Sequence, residues 1–322
     1  MRRAFDLLAL LADGTEHSGA ELAAALGISR AAVWNHVKRL REEGLDIHAT
    51  PGQGYRLCGG FDALDAAAIG AQLQTCACTA WLQIDVLTVT DSTNERLLRA
   101  QSEGDIHGHV LLAEYQSAGR GRRGDRWISP PGSGLCFSAA WRFDVPPPTF
   151  SALSLVVGLA LVHVLQAEGI TEARLKWPND IVRGGAKLAG ILIEMRAEAG
   201  GPCCVVIGIG LNIALSPAAR ARIDRPSDDV SAATGAAPSR NSLAARLLAG
   251  LAAALERFAQ HGFTPFRQQW LTQDALAGRQ VTLDLGHRQV SGRARGVDEY
   301  GALLIEHSGR CERFLSGHLT AV

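Results

Sequence analysis

The spacing of apolar and polar positions divides the chain into three stretches. Up to about residue 60, apolar residues recur at helical spacing in short runs. "AFDLLALL" (4–11) predicts an apolar helix ended by Asp13-Gly14, and Ser18, three residues before Glu21, predicts a capping box for a short helix from Glu21 to Leu26. Gly27 makes a turn, and Ser29 caps a third helix running to about Glu43. Helix, Gly-containing turn and helix form the helix-turn-helix layout. "LDIHATPGQGYRL" (45–57) then sets two β-like runs around Pro51-Gly52-Gln53-Gly54, the pattern of a hairpin wing.

After a junction at "GGFDALDAAAIGAQL" (59–73), which continues into a helix, periods of 2 and 3.6 alternate. Strands are predicted at 81–89, 109–116 and 134–143, with a helix from near Thr93 and an extended loop forced by Pro146-Pro147-Pro148. Phe150 to Glu168 reads as a long apolar helix. "ARLKWPND" and "IVRGGAKLAGILIEM" read as strands around a Gly184-Gly185 turn. "CCVVIGIGLNI" (203–213) is a continuous apolar strand, as in the middle of a sheet. Residues 216–240 are polar and rich in Ala, Ser and Pro, which predicts a mobile loop, and Asn241 is expected to cap an amphipathic helix. Beyond Trp270, short alternating runs ("QVTLDL", "RQVSGRARGV", "GALLIEH", "CERFLS") predict a small β-barrel. The fold class is α+β, with domains expected at 1–62, 63–272 and 273–322.

Composition narrows the function classes. The 322 residues carry 32 basic and 32 acidic side chains, so no global field draws the chain to nucleic acid or membrane, and any polyanion contact has to be local. Two arginines precede the first apolar run as in a signal peptide, but Asp6 and Asp13 interrupt it and no small-residue cleavage site follows. The apolar run from Ala152 to Leu165 is too short for a bilayer and reads as a buried helix. Seven cysteines, odd in number and without C-x-x-C pairs at metal spacing, read as reduced thiols of a cytoplasmic protein. Only Lys38, Lys176 and Lys187 are lysines, against 29 arginines. Where so arginine-rich a chain keeps a lysine, a compact ammonium is favoured over a guanidinium.

The helix "SRAAVWNHVKRLR" (29–41) carries Arg30, Lys38, Arg39 and Arg41. Its small Ala31 and Ala32 allow close approach to a groove, and Arg30 and Asn35 are placed to reach bases. Ser29, Arg30, Ala31, Trp34, Asn35 and Lys38 form the expected DNA-reading set. An ordinary amphipathic helix with a solvated basic face is the alternative, and the wing weighs against it.

"AGRGRRGDRW" (118–127) contains G-x-G-x-x-G in Gly119, Gly121 and Gly124. A dinucleotide fingerprint must open a helix, yet "DRWISPPGSG" follows, and Pro130-Pro131-Gly132 does not start one. What remains is a flexible, glycine-hinged loop with three guanidinium groups, suited to enclosing an anion.

"DSTNE" (91–95), "EYQSAGRGRRGDRW" (114–127), "LKWPNDI" (175–181), "KLAGILIE" (187–194) and "VIGIGLN" (206–212) occur in this order. The combination resembles the biotin protein ligases, and the fused helix-turn-helix resembles their bifunctional type, which also acts as a biotin operon repressor. The resemblance runs from about residue 4 to the C-terminus. It implies a winged helix-turn-helix, a central mixed α/β domain like that of class II synthetases, and an SH3-like terminal barrel. It also implies a reaction joining biotin to ATP as biotinyl-5′-AMP and passing the biotinyl group to a lysine of the biotin carboxyl carrier protein of acetyl-CoA carboxylase.

By this resemblance Ser92, Thr93, Asn94 and Gln116 line the biotin pocket, although Ser92 or Thr93 also fits a helix cap before Glu95. Arg120, Gly121 and Arg122 match the ligand-enclosing segment, with Arg122 as the clamp on carboxylate and phosphate. Lys187 matches the active-site lysine and, with Arg122, is the expected catalytic group. Lys176, Asn179, Asp180 and Asn212 are expected on the ATP side. Mg²⁺ arrives with ATP and no metal is tightly bound. Trp127 and Trp177 fit either a pocket wall or the core. Operator DNA of biotin genes and a homodimer in the adenylate-bound state complete the implied partners. One departure stands out: the segment after "GIGLN" usually carries an aromatic that stacks on the adenylate, and 216–235 here has none. A ligase with a non-regulatory N-terminal module, a non-catalytic sensing regulator and a lipoate ligase are the alternatives. "GRGRRGDRW" beside "KWPND" favours biotin over lipoate.

Overall fold

The computed structural model describes residues 2–58, 62–144, 150–195 and 203–321; the expected extended loop at the proline run 146–148 lies outside them, as does the start of the junction at 59–61. The first body holds helices α1 (Arg2–Leu10), α2 (Gly19–Leu26) and α3 (Arg30–Glu42) and the hairpin β1 (Ile47–Thr50) and β2 (Gly54–Leu57). The capping box is present: Ser18 Oγ accepts from Glu21 N at 3.1 Å, and the Glu21 carboxylate accepts from Ser18 N at 2.9 Å. Gly27 ends α2 in the left-handed region (φ 62°) and Ser29 caps α3. Leu7, Leu8, Leu22, Val33, Val37, Leu40, Ile47 and Leu57 form a core of their own. Gly54 is a required glycine, since a Cβ there would sit 2.0 Å from the His17 carbonyl oxygen, where the wing crosses the loop before α2.

Next come α4 (Ala66–Thr75), β3 (Gln83–Thr90), α5 (Thr93–Ala100), β4 (His109–Gln116), β5 (Gly134–Phe143), α6 (Phe150–Ala167), β6 (Arg174–Lys176), β7 (Asp180–Arg183), β8 (Ala186–Met195) and β9 (Cys203–Asn212). One seven-stranded sheet runs β3-β4-β5-β9-β8-β7-β6, parallel only between β3 and β4, so β9 is its middle strand as its continuous apolar run predicts. Period 2 sorts the two faces. Val205, Ile207, Ile209 and Leu211 of β9, with Leu135, Phe137, Ala139 and Trp141 of β5, join the large core beneath α4, α6 and the later helix α9 (Arg240–His261). Val206 and Ala140 face the opposite side, where α5 packs through Leu97 and Leu98.

Residues 216–240 depart from the expected loop. They contain α7 (Pro217–Ala221) and α8 (Val230–Thr234), capped by Ser216 and Asp229, and the Asp229 carboxylate is fixed by Arg220. Helices this short do not hold in isolation, so their order comes from these tertiary bonds. Asn241 does not cap α9; Ser239 does. The Asn241 amide instead bonds Ala63 O at 2.8 Å and Asp65 N at 2.8 Å, holding the junction. After α10 (Thr264–Gln273), the strands β10 (Gln280–Asp284), β11 (Gln289–Val297), β12 (Leu303–His307), β13 (Arg310–Phe314) and β14 (His318–Ala321) form an antiparallel sheet in the order β13-β12-β11-β10-β14. The last strand, only four residues long, is too short to show a period in the sequence. This sheet shares the large core with the central domain.

Arg240 and Glu114 form an ion pair at 2.8 Å with side chains only 3% and 8% exposed, and Arg240 Nε also donates to Asp62 O at 2.9 Å. Removing one member strands the other charge in the interior, which costs about 3–5 kcal/mol. Arg240→Ala is therefore expected to lower urea-unfolding stability by that amount, while Arg240→Met/Glu114→Leu together recovers most of it. A loss below about 1 kcal/mol for the single variant would show that the pair does not hold the junction.

Candidate active site

Strands β4, β5, β9 and β8 lie side by side beneath a cavity of about 360 Å³. On the middle strand the residues facing it are Gly208, Gly210 and Asn212. A Cβ at Gly208 would lie 2.2 Å from Asn94 Oδ1, and one at Gly210 would lie 2.3 Å from Cε2 of Trp127. The bare backbone is what lets the start of α5 and the Trp127 indole settle onto the sheet. Glycine at period 2 in an apolar strand signals such close approach, and "VIGIGLN" carries that signal.

Ser92, Thr93 and Asn94 are each only 3% exposed and line the cavity. Ser92 caps α5, Thr93 N donates to Gln116 Oε1 at 2.7 Å, and Asn94 Nδ2 donates to Leu192 O at 3.1 Å and Glu194 Oε2 at 3.0 Å. Ser138, buried on β5, lies 2.7 Å from Thr93 Oγ1. Ser92 thus caps α5 while it, Thr93 and Asn94 line the cavity, and Gln116 belongs to the same hydrogen-bond network.

The glycine-arginine loop is a hairpin folded on itself rather than a loose hinge. Trp127 N donates to Gly119 O at 2.9 Å, and Gly121 N to Asp125 O at 2.7 Å. Gly119 fits because a Cβ would meet Trp127 O at 2.5 Å. No helix body follows Gly124, only a single 3₁₀ turn, Arg122–Gly124. Arg120 is spanned by Glu95 (2.8 Å) and Glu194 (2.7 Å), so its charge is already balanced. Arg122 points inward, with Nη1 donating to Asn179 Oδ1 at 3.3 Å.

Lys187 Nζ lies 2.7 Å from Asp180 Oδ1 and 5.6 Å from the centre of the Trp127 ring. Burial pushes Arg122 and Lys176 below their ordinary pKa values; Arg123 adds to the shift on Arg122, and the Asp180 carboxylate opposes it in both. Three cations thus meet one carboxylate in a half-buried pocket, an arrangement that favours an anion. Trp127 walls the cavity. Trp177 is 1% exposed and donates Nε1 to Gly301 O at 3.2 Å, tying the terminal sheet to the central one. The three carboxylates lining the cavity are engaged, Asp180 by Lys187, and Asp125 and Asp224 by Arg225. Among the described residues no group of three metal-ligating side chains gathers there.

Asn212 reaches the cavity, but its amide donates to Lys187 O (3.3 Å) and Asp228 O (3.0 Å), so it ties β8 to the segment between α7 and α8. The segment around α7 supplies a wall missed by the sequence: Ile223, Arg225 and Ser227 line the cavity, and Lys187 N donates to Pro226 O at 2.9 Å. The other end of this segment meets the first body. Arg222 pairs with Glu43 at 2.9 Å, Ser216 Oγ donates to Gly44 O at 2.8 Å, and Tyr115 donates to Glu43 at 3.2 Å. Gly317, His318 and Leu319 of the terminal sheet close the cavity from a further side, contacts too distant in sequence to be read from it.

On α3, Arg30, Ala31, Trp34, Asn35 and Lys38 are exposed on the side opposite buried Val33, Val37 and Leu40, and Ser29 begins the helix. Trp34 is 55% exposed, with Lys38 Nζ 5.8 Å from its ring centre.

Residues 86–212 match the Biotin/lipoate A/B protein ligase family, 3–56 an HTH domain, and 277–318 the Biotin protein ligase C terminal domain. The bifunctional ligase/repressor BirA of Salmonella typhimurium is 40% identical over 98% of this chain and 96% of its own length; that of Escherichia coli is 40% identical over 98% and 95%. The chain belongs to the biotin protein ligase family. A biotin–[acetyl-CoA-carboxylase] ligase of Mycobacterium tuberculosis is 38% identical over 71% of this chain and 85% of its own. The Aquifex aeolicus biotin protein ligase, solved with biotin and ATP, superimposes with a TM-score of 0.63 at 26% identity, covering 75% of this chain and 99% of that one. This ligase differs from that shorter relative by length: the matched share leaves room for the helix-turn-helix body.

A depressed Lys176 pKa has a measurable sign. Lys176 loses its charge at a lower pH than an ordinary lysine, so affinity for an anion in the cavity falls as pH rises through that value. Pyrophosphate binding, followed by calorimetry, is expected to weaken about tenfold on the alkaline side. Lys176→Arg should hold its affinity over the same range; an identical decline in that variant would remove Lys176 from the anion site.

Proposed function

We propose that the chain is an ATP-dependent biotin–protein ligase and, through its helix-turn-helix, a repressor of biotin genes. The inner group of Arg122, Lys176 and Lys187 around Asp180 is the observation that carries the ligase reading. A biotin carboxylate oxygen attacks the α-phosphorus of ATP, pyrophosphate leaves, and biotinyl-5′-AMP remains. Two anions must be brought together, and preorganised cations in a half-buried pocket lower that barrier. Lys187, held between Asp180 and Trp127, neutralises charge at the reacting oxygens. Arg122 clamps carboxylate and phosphate, and Lys176 meets the triphosphate with Asn179 beside it. Asp180 is a positioning group for Lys187. Ser92, Thr93, Asn94 and Gln116 offer hydroxyl and amide groups to the biotin ring, and Arg120 with Gly121 forms the rim above it. Mg²⁺ brought with ATP would supply charge neutralisation to the triphosphate, and Asn179 and Asp180 are the side chains that would help position it. Ile223 and Arg225 cover the adenine in place of an aromatic residue.

In the second half-reaction an uncharged lysine amine of the biotin carboxyl carrier protein attacks the biotinyl carbonyl, AMP leaves, and the amine proton is released. Enclosure of the anhydride protects it from water. The chain works in the cytoplasm with its thiols reduced. Ser29, Arg30, Ala31, Trp34, Asn35 and Lys38 read the operator, and two chains pair when the adenylate is bound.

Incubation with biotin, ATP, Mg²⁺ and a carrier domain should label the carrier; a folded protein that transfers nothing overturns the ligase reading. Lys187→Ala is expected to slow biotin-dependent pyrophosphate release about 10²–10³-fold, and a near-normal rate would remove Lys187 from its role. A mobility shift on a biotin-gene promoter, present with biotin plus ATP and lost in Arg30→Ala/Asn35→Ala, supports the repressor. No shift leaves the helix-turn-helix a non-regulatory module.

A further inference from the structure

The wing carries a second cluster of chemistry, far from the ligand cavity in the sequence. In the hairpin Ile47 pairs with Leu57, and one position further out Cys58 N donates to Asp46 O at 2.8 Å. Asp46 and Cys58 are therefore cross-strand neighbours on one face. His48, two residues after Asp46, shares that face, with its Nε2 3.8 Å from Asp46 Oδ1. A carboxylate oxygen, an imidazole nitrogen and a thiol sulfur lie within 4.8 Å of one another.

We propose that Asp46, His48 and Cys58 bind a thiophilic divalent cation of the Zn²⁺ class at the base of the wing. The donor set is the borderline-soft N/O/S mixture that zinc takes, with bonds of roughly 2.0–2.3 Å, which place neighbouring ligands roughly 3.3–3.8 Å apart. Asp46 and His48 are exposed and Cys58 is half-buried, so the two outer side chains are open to solvent and to an arriving ion. Three protein ligands leave a fourth position open to solvent, for water or an anionic oxygen. On binding, the Cys58 thiol gives its proton to solvent and the thiolate forms the metal bond. Counting the thiolate, the wing gains one net positive charge per ion. Arg56, opposite His48, is the one cation in the cross-strand position and works against the ion; Asp46 and the thiolate offset it. The ion would also cross-link the two strands at the base of the hairpin, where Arg41 Nε already donates to Ile47 O at 2.7 Å. This site stands independently of the ligase reading.

The test uses the full chain, stripped with chelator and kept reduced, titrated with Co²⁺. A thiolate-to-cobalt charge-transfer band that saturates at one equivalent and is displaced by Zn²⁺ is expected. It should vanish in Cys58→Ser, and His48→Ala and Asp46→Ala should each weaken cobalt binding at least tenfold. Asp46 and His48 are exposed and Cys58 half-buried, and circular dichroism checks that each variant is folded. The variant Cys76→Ser/Cys78→Ser, which removes one exposed and one half-buried thiol elsewhere, should keep the band. No band in the parent chain, a band surviving in Cys58→Ser, or affinity untouched by His48→Ala overturns the proposal.

Discussion

Two absent side chains organise this molecule. Gly208 and Gly210 leave the centre of the sheet bare on one face, and onto that bare strip fall Asn94 from one side and Trp127 from the other. Asn94 brings the start of α5 and its hydroxyl groups. Trp127 brings the end of the arginine hairpin and, against its ring, Lys187. A methyl group at either glycine would overlap atoms already in place, so neither group has a nearby alternative. The interior tolerates little added volume, and here the tolerance is smallest where polar groups must meet.

Charge is arranged with similar economy. The exposed rim is neutralised internally, Arg120 by two glutamates and Arg225 by two aspartates, while the inner cations share one carboxylate. A net positive interior within a neutral chain draws an anion to one place without giving the whole surface an affinity for polyanions. The lysines fit this division. Two of the three in the chain are in this inner group, where a compact ammonium can approach closely.

Local patterns along the chain account for most of the elements. The Ser18–Glu21 box, the Ser29 cap and the period-2 strands are short-range effects, and each stands where its residues point. Features decided by distant contacts were not visible. Residues 216–240 look unstructured because Ala, Ser and Pro carry no amphipathic period, yet caps and the Arg220–Asp229 pair order them. Asn241 has the composition of a cap, and its amide was claimed by a junction nearly 180 residues earlier. In the site, the resemblance to the biotin protein ligases points to Lys187, Arg122 and Gln116, all of which line the cavity, but nothing local tells that Asp180 will face Lys187, that Arg120 will be spanned by two glutamates, or that His318 will close a wall.

The stretch from Ser216 to Asp228 touches both the cavity and the end of α3. At one end Pro226 accepts from the Lys187 backbone; at the other Arg222 and Ser216 grip Glu43 and Gly44, just past the helix that faces outward with Trp34 and Lys38. One short segment therefore carries contacts at both places. If a molecule filling the cavity shifts this segment, it also changes the free energy of placing α3 against its own partner. Thermodynamic reciprocity makes the transaction symmetric: whatever is gripped by α3 must change the cavity's affinity for its ligand by the same factor.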